Sequence, residues 1–141
     1  DYEEVMPANV TIPLADRDVL WIMCQQDHLE FSPGKKFHYS NTAYSLLSLI
    51  VEAASGQKFA MFLKENIFQP IGMKNSVAYE PGISVVPNRA IGYAKTNEGF
   101  EFSDQSLTSA VLGDGGIYSS VVDLFKWDEA LYTEKLVSKK M

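Results

Sequence analysis

The sequence predicts a mostly helical α+β fold that contains one small antiparallel β element. In residues 43–54 and 58–68, apolar side chains recur at intervals of three and four, which is the spacing of a helix with a buried face. Between residues 76 and 102 the composition changes to Val, Tyr and Phe interrupted by turn residues, which is typical of short strands. We therefore expect helices to form most of the structure, with short strands inserted between them.

Composition excludes several classes of protein. With 141 residues, of which 46% are hydrophobic, the chain is long enough for one domain with its own core. Its net charge of −6 opposes binding to nucleic-acid phosphates, so we expect no nucleic-acid partner. The longest mostly apolar run, residues 43–54, is shorter than the roughly 20 residues that cross a bilayer, so no membrane span is expected.

One cysteine and two histidines limit the metal and redox chemistry of the chain. Cys24 has no partner for an internal disulfide, and with His28 and His38 it supplies too few ligands for a structural zinc site. We expect no metal and no cofactor. Since the sequence has neither internal repeats nor a long linker, residues 1–141 are expected to form a single unit.

The first helix is expected to follow an extended start that contains Pro7 and Pro13. Asp16 has the side chain of an N-cap, and the predicted helix covers residues 17–26. One face of this helix carries Val19, Leu20, Met23 and Cys24. We therefore expect Cys24 to lie in the core rather than to act as a nucleophile.

A long central helix is expected after the turn "FSPGKKF", residues 31–37, in which a Pro-Gly pair favours a change of direction. The helix begins at Asn41 or Thr42, and Gly56 ends it. Its buried stripe is expected to contain Ala43, Leu46, Leu47, Ile50, Val51 and Ala54. Because Leu49 lies off that stripe, we expect burial on more than one side.

A second helix is predicted over residues 58–68, and the turn residues that follow end it. Further on, "AIGYA" and "FEFSD" are expected to pair as a hairpin through the turn "TNEG". The glycine-rich loop "GDGG" occupies residues 113–116. Beyond it, Ser119 or Ser120 is expected to cap a last helix, and Asp123 lies where a capping box has its acidic residue.

The segment "KFHYSNTAY", residues 36–44, contains a Tyr-x-Asn tripeptide that has two interpretations. In a structural interpretation, Ser40 or Asn41 caps the central helix, which contributes about 1 kcal/mol, and Tyr39 packs at the entry. In a catalytic interpretation, Tyr39 lies at the positive end of the helix dipole, which favours a phenolate. The two are compatible, and the tripeptide alone does not decide between them.

The surrounding segments recur in the same order in one known family. They are "FSPGKKFHYSNTAYSLLSLIVEAASGQKFAMFLKENIFQPIGMKN", residues 31–75, and "GDGGIYSSVVDLFKW", residues 113–127. In these segments the chain resembles the serine β-lactamase-like family, which includes class C β-lactamases, related esterases and penicillin-binding D-Ala-D-Ala peptidases. "DYEE" at the start is similar to the segment after the family's Thr-Ser-Gly-Leu region. The resemblance implies that the chain is an internal, helical portion of the β-lactamase/transpeptidase-like fold.

The resemblance also implies roles for individual residues. Tyr39 matches the tyrosine that exchanges a proton with the nucleophilic serine, and Asn41 matches the asparagine that hydrogen-bonds a neighbouring lysine and the substrate's amide. An uncharged amide can donate and accept at once, so it orients both groups without adding charge. Asp114, Gly115 and Gly116 match a loop at the cleft edge, where they are candidate substrate-binding residues. For Asp114, the alternative is a role in stabilising the turn.

The rest of the family's catalytic machinery is not expected in this chain. The family has a Ser-x-x-Lys motif at a helix start and a Lys-Thr-Gly or His-x-Gly strand beside the oxyanion hole. Three segments only look similar, namely Ser32–Lys35, Ser55–Lys58 and Lys95–Asn97. The first has Pro and Gly in its turn, the second lies at a helix end, and the third lacks the glycine. We therefore expect residues 1–141 to be a partial domain without the nucleophile and without activity of its own.

Three functional hypotheses follow from the sequence. The first is part of a serine hydrolase that forms an acyl-enzyme with a small-molecule or peptide substrate, such as a β-lactam, a D-Ala peptide or an ester. The second is a non-catalytic interaction module that keeps the helical packing and self-associates through an exposed apolar face. The third is a small self-sufficient enzyme that uses Ser32 and Lys35. The substrate is not identified, because all three substrate classes share one acyl-transfer core.

Overall fold

The computed structural model describes residues 1–140, and helices account for most of its regular structure. The helices are α1 (Tyr2–Val5), α2 (Asp16–Met23), α3 (Asn41–Ser55), α4 (Phe59–Leu63) and α5 (Val121–Leu131), and a π-helical segment, Lys64–Phe68, continues α4. The strands are β1 (Val77–Ala78), β2 (Tyr93–Thr96), β3 (Gly99–Phe102) and β4 (Ile117–Tyr118). These elements confirm the mostly helical α+β class.

Strands β2 and β3 form the expected antiparallel hairpin. Tyr93 lies opposite Phe102, and their rings meet edge to face with centroids 6.2 Å apart. Thr96 lies opposite Gly99, which leaves a two-residue turn between them. Lys95 and Thr96 therefore belong to β2, and the turn itself consists of residues 97 and 98.

Strands β1 and β4 form a second antiparallel sheet that joins distant segments. Val77 lies opposite Tyr118, and Ala78 lies opposite Ile117. The sequence did not predict β4, because a strand of two residues has no periodic pattern. The pairing fixes the position of the chain directly after the loop of residues 113–116.

The N-terminal segment is not the extended chain that was expected, because α1 forms at its start. At the start of this helix, the Asp1 carboxylate accepts a hydrogen bond from the Tyr2 N–H at 2.8 Å, and the Glu4 carboxylate accepts one from the Asp1 nitrogen at 3.1 Å. Tyr2 is fully buried. It belongs to a core cluster that contains Tyr2, Leu14, Val19, Ile22 and Val111.

Helix α2 begins at Asp16, one residue earlier than expected, and Asp16 is not its N-cap. The Asp16 side chain is buried, and its carboxylate accepts hydrogen bonds from the glycine-rich loop instead. Val19 and Ile22 form the buried face of α2. Cys24 is exposed, so the expectation that it lies in the core is wrong. The helix ends at Met23, and Cys24 therefore follows the helical face instead of continuing it.

Helix α3 has the expected bounds but buries a different face. Ser40 caps its N-terminus, and Gly56 ends it with a φ of 70°. The helix packs against α2. Its buried side chains carry hydroxyl groups and are Thr42, Ser45 and Ser48. Leu47 and Ile50 of the predicted stripe are 51% and 60% exposed, so the predicted buried face is wrong.

Helix α5 is capped by Ser120, as predicted, since its Oγ accepts a hydrogen bond from the Asp123 backbone N–H at 3.2 Å. The Asp123 side chain does not complete a capping box. It is fully buried, and it accepts hydrogen bonds from the Asn75 N–H at 2.6 Å, the Ser76 hydroxyl at 3.0 Å and the Lys126 ammonium at 2.7 Å. The hydrogen bonds of Asp123 therefore link α5 to the segment that precedes β1.

Several large apolar side chains of α3 and α5 are exposed. They include Leu47, Ile50, Val121, Phe125 and Leu131. Within residues 1–140, no single helix is both long and apolar enough to cross a membrane. Only α3 and the segment Phe59–Phe68 taken together have the length and apolar composition of a membrane span, and the chain bends by 78° between them.

Candidate functional site

Tyr39 lies directly before the N-terminus of α3, where the sequence placed it. Ser40 is the N-cap, because its Oγ accepts a hydrogen bond from the Ala43 N–H at 3.1 Å. The Tyr39 side chain is 64% exposed. It borders a shallow depression of about 210 Å³ that Glu30 and His38 also line. The phenol is therefore accessible to a molecule that binds at this helix end.

Asn41 is the first residue of α3. Its backbone N–H donates a hydrogen bond to Oδ2 of Asp1 at 2.8 Å. Across residues 1–140, no hydrogen bond involves the Asn41 side-chain amide. Both functional groups of this amide are therefore available to an incoming group.

The Asp1 carboxylate caps α3 from a distant part of the sequence. Its Oδ1 accepts a hydrogen bond from the Thr42 N–H at 2.8 Å, and the Thr42 hydroxyl donates to the same oxygen. Together with the Ser40 hydroxyl, Asp1 satisfies the first three N–H groups of α3, which have no partner inside the helix. A negative charge at this end also interacts favourably with the helix dipole.

The glycine-rich loop packs directly on α3. A Cβ atom added at Gly113 would lie 2.4 Å from the backbone oxygen of Tyr44 and 2.6 Å from Cα of Ser45. Only glycine fits at this distance, because contacts with backbone atoms cannot relax as a flexible side chain does. The structure therefore brings the loop of residues 113–116 against the helix that begins with Asn41.

Asp16 holds the start of this loop. Its carboxylate accepts hydrogen bonds from the backbone N–H groups of Leu112 at 3.0 Å and Gly113 at 2.9 Å. The Asp16 side chain is 8% exposed, so these bonds are shielded from water. Helix α2 thus fixes the loop that rests on α3.

Asp114 is held by Tyr2 in the middle of the loop. The Tyr2 hydroxyl donates a hydrogen bond to Oδ2 of Asp114 at 3.0 Å. Burial raises the pKa of Asp114 above its ordinary value, the Tyr2 hydrogen bond opposes this rise, and the nearby Asp16 and Glu3 charges add to it. Burial, together with the Asp114 hydrogen bond, also raises the pKa of the Tyr2 phenol. These contacts give Asp114 a part in holding the loop.

The last two glycines of the loop have different surroundings. A Cβ atom added at Gly115 would meet no atom within 4 Å, so Gly115 faces open space. At Gly116 the same atom would lie 2.9 Å from Cδ2 of Leu112, and its φ of 70° favours glycine. Gly116 therefore turns the chain into β4, and Gly115 lies on the open side of the loop.

The Ser-x-x-Lys look-alikes do not place their serine at the start of a helix. Ser32 and Lys35 form a turn, in which the Lys35 N–H donates to the Ser32 carbonyl at 3.1 Å, so Ser32 does not begin a helix. The Ser55 hydroxyl donates back to the Val51 carbonyl at 2.7 Å in the last turn of α3.

In the described part of the chain, no three His, Cys, Asp or Glu side chains are grouped to hold a metal ion.

Three residues that organise the site were not identified from the sequence, namely Asp1, Tyr2 and Asp16. Asp16 was recognised only as a helix cap, and its bonds to the loop cross 96 and 97 residues of sequence. The pattern Asp-x-x-Glu at residues 1–4 is a signal for α1 that was available. No local pattern indicates that the same Asp1 caps α3.

Comparison with known proteins gives a consistent result. The beta-lactamase family model matches residues 4–140. Penicillin-binding protein 4* of Bacillus subtilis is 35% identical over 120 residues, which cover 77% of this chain and 27% of that protein. The D-alanyl-D-alanine-carboxypeptidase/endopeptidase AmpH of Escherichia coli is 30% identical over 111 residues, which cover 79% of this chain and 27% of that protein.

A solved structure agrees with the sequence comparisons. The octameric penicillin-binding protein homologue from Pyrococcus abyssi is 27% identical, with a TM-score of 0.76. The match covers 99% of this chain and 32% of that one, so the chain spans about a third or less of each of these three relatives. Because the family match covers nearly all of its residues, the chain belongs to the beta-lactamase family.

Proposed function

We propose that this chain forms the helical part of a serine hydrolase that works through an acyl-enzyme, and that it contributes Tyr39 and Asn41 to the catalytic site. The observation that carries the proposal is the placement of an accessible phenol and an unengaged amide at one helix end, in a chain of the beta-lactamase family. The names of its relatives, a penicillin-binding protein and a D-alanyl-D-alanine-carboxypeptidase/endopeptidase, support acyl transfer.

The proposal assigns the nucleophilic serine, its lysine and the oxyanion hole to sequence outside residues 1–141. The two curated relatives extend well beyond the matched region, since the chain covers 27% of each. In this proposal residues 1–141 form a partial domain. Without a serine that can be acylated, the chain by itself has no activity.

Tyr39 serves as the proton carrier in this proposal. When the serine oxygen bonds to the substrate's carbonyl carbon, its proton passes to the phenolate oxygen of Tyr39. The same proton then moves to the leaving group as the acyl-enzyme forms, so the phenolate is regenerated. In this proposal the serine's lysine supplies the positive charge beside the phenol during the proton transfer.

Asn41 and the glycine-rich loop hold the substrate in this proposal. The Asn41 amide donates to and accepts from the substrate's amide and the lysine, which orients both groups. Gly115 and Gly116 border the substrate, and the open space at Gly115 supports that role. Asp114 acts through the loop, since Tyr2 already engages its carboxylate.

The experiment that tests the proposal is hydrolysis of nitrocefin and of a p-nitrophenyl ester by the full-length protein and its Tyr39→Phe variant. Removing one hydroxyl from an exposed ring is expected to leave thermal stability unchanged and to lower kcat/KM about 10²- to 10⁴-fold. Tyr44→Phe is the matched control, because Tyr44 lies on the same helix and is 55% exposed. Equal activity of wild type and Tyr39→Phe would contradict the proposal.

A second candidate is the non-catalytic interaction module, which the exposed apolar side chains of α3 and α5 favour. One solved relative is octameric, which supports self-association of related chains. Sedimentation velocity of the full-length protein and of an Ile50→Lys variant tests this candidate. Dissociation of an oligomer in the variant, together with a full-length sequence that has no Ser-x-x-Lys motif, would favour the module over the enzyme.

A further inference from the structure

We infer that Asp1 is a positioning residue for Asn41, an inference that rests on the proposed function of the site. Asp1 contacts the first turn of α3 through three donors, namely the N–H groups of Asn41 and Thr42 and the Thr42 hydroxyl. Its side chain is 15% exposed, so water competes little for these bonds. The backbone of Asn41 is therefore held by a charge-assisted hydrogen bond from another segment.

The Asp1 carboxylate is itself fixed by a hydrogen bond from its buried neighbour Tyr2. The Tyr2 N–H donates to Oδ1 of Asp1 and to the Thr42 hydroxyl oxygen, each at 2.8 Å. The Tyr2 side chain is fully buried, and its hydroxyl reaches Asp114 of the glycine-rich loop. Asp1 and Tyr2 thus link the two parts of the site, since one bonds to the start of α3 and the other to the loop.

Fixing the first turn matters because helix ends fray more readily than helix interiors. The Asn41 side chain projects from the first helical residue, so its direction depends on the φ and ψ angles of that turn. Loss of the Asp1 bonds would leave the N–H groups of Asn41 and Thr42 without a partner. The amide of Asn41 would then sample several orientations relative to the substrate, and displacements of about 1 Å at such a group cost up to about 100-fold in rate.

The chemistry of the contact requires a carboxylate and not an amide. Both oxygens of Asp1 accept, Oδ2 from Asn41 and Oδ1 from Thr42 and Tyr2. An asparagine at this position has one acceptor oxygen, and its NH₂ group would point at a donor. Asp1→Asn is therefore nearly isosteric and still breaks the cap.

The test compares wild type, Asp1→Asn, Asn41→Ala and the double variant in the full-length protein, with nitrocefin and a p-nitrophenyl ester as substrates. Nitrocefin carries a side-chain amide that Asn41 can bind, and the simple ester does not. We expect Asp1→Asn to lower kcat/KM for nitrocefin about 10- to 100-fold and to affect the ester much less. In the double variant the two effects are expected not to add, because both act through the same amide. Glu3→Gln, which removes an exposed carboxylate from the same helix, is the matched control.

Hydrogen exchange of the Asn41 and Thr42 amides provides a readout that does not depend on activity. Both amides are expected to be protected in wild type and Glu3→Gln and to exchange faster in Asp1→Asn. Unchanged protection, or an equal loss on both substrates, would overturn the inference. If Asn41→Ala is impaired and Asp1→Asn is not, only the inference fails. If the wild-type protein hydrolyses neither substrate, the proposed function is wrong, and the positioning role of Asp1 that rests on it is wrong as well.

Discussion

The hydroxyl of Tyr2 donates a hydrogen bond to the carboxylate of Asp114 across 112 residues of sequence. Tyr2 is fully buried, whereas Asp114 lies in a loop that rests on α3 through Gly113. The bond ties the N-terminal helix to the loop that borders the candidate site. Both the loss of stability on removing this bond and the pH dependence of stability due to Asp114 can be measured.

Replacing Tyr2 by Phe keeps the ring in the core and removes the hydroxyl. The Asp114 carboxylate then loses its buried donor, and we expect the free energy of unfolding to fall by about 1–3 kcal/mol. Urea denaturation of the variant checks this expectation. Tyr132→Phe is the matched control, since Tyr132 is 78% exposed. A Tyr2→Phe midpoint equal to that of the control would show that the bond contributes nothing.

Asp114→Asn changes how stability depends on pH. Burial raises the folded-state pKa of Asp114, so the folded state binds more protons than the unfolded state between the ordinary pKa and the raised one. Stability therefore falls as pH rises through that window, and the stabilising effect of the neutral carboxyl is complete only at lower pH. An asparagine oxygen can still accept from Tyr2 and carries no charge.

We therefore expect Asp114→Asn to be more stable than wild type at neutral pH and to approach it as the pH falls toward about 3. Urea midpoints measured from pH 3 to pH 8 test this. Asp128→Asn, which removes an exposed carboxylate from α5, controls for the loss of one charge. Parallel profiles for Asp114→Asn and wild type would rule the explanation out.

Asp123→Ala is expected to be strongly destabilising. It removes the buried carboxylate to which the Asn75 N–H, the Ser76 hydroxyl and the Lys126 ammonium all donate, which should cost about 3 kcal/mol. Burial alone would raise the pKa of Asp123, but the hydrogen bonds from Lys126, Asn75 and Ser76 lower it. This contribution is therefore present above the ordinary pKa of aspartate and is lost as the pH falls through the lowered one.

Thermal unfolding of Asp123→Ala and of Asp128→Ala, a change on the exposed side of the same helix, measures the difference. A small and equal effect of the two substitutions at neutral pH would contradict the assigned role of Asp123.

Gly113→Ala tests the contact between the loop and α3. The new methyl group would lie 2.4 Å from the Tyr44 backbone oxygen, so the loop must move away, at a cost of about 3 kcal/mol. Gly115→Ala is the matched control in the same loop, because nothing lies within 4 Å of its added Cβ. Circular dichroism melts of both variants measure the effect. Tolerance of alanine at Gly113 equal to that at Gly115 would show that the loop does not pack on the helix.

The sequence predicted those features that are encoded by neighbouring residues. The bounds of α3 follow from the Ser40 cap and from Gly56, and the β2–β3 hairpin follows from the turn between Thr96 and Gly99. The resemblance to a family was confirmed by the match over residues 4–140. Caps and turns of this kind depend on a few neighbouring residues, so they can be predicted without knowing the rest of the fold.

Features that depend on distant partners were not predictable in the same way. The apolar periodicity of α3 favoured burial of Leu47 and Ile50, yet the helix buries Ser45 and Ser48. Close approach of the Gly113 backbone requires small side chains on that face, and periodicity does not report the size of a neighbour. Asp16 has the residue type of a cap, but its carboxylate is used by the Leu112 and Gly113 amides instead. The roles of Tyr39 and Asn41 stay predictions until activity is measured.

The long reach of the N-terminal contacts has a consequence for how the chain acquires its structure. The Tyr2–Asp114 and Asp16–Leu112 hydrogen bonds join residues 112 and 96 positions apart, so these contacts close large loops and form late. During synthesis, α1 and α2 are made before the segment around Gly113, so their contacts with that segment form only after it has emerged. We therefore expect the docking of the N-terminal helices, rather than the formation of α3, to be the slow step of folding, and their apolar faces to be the part of the nascent chain that needs protection.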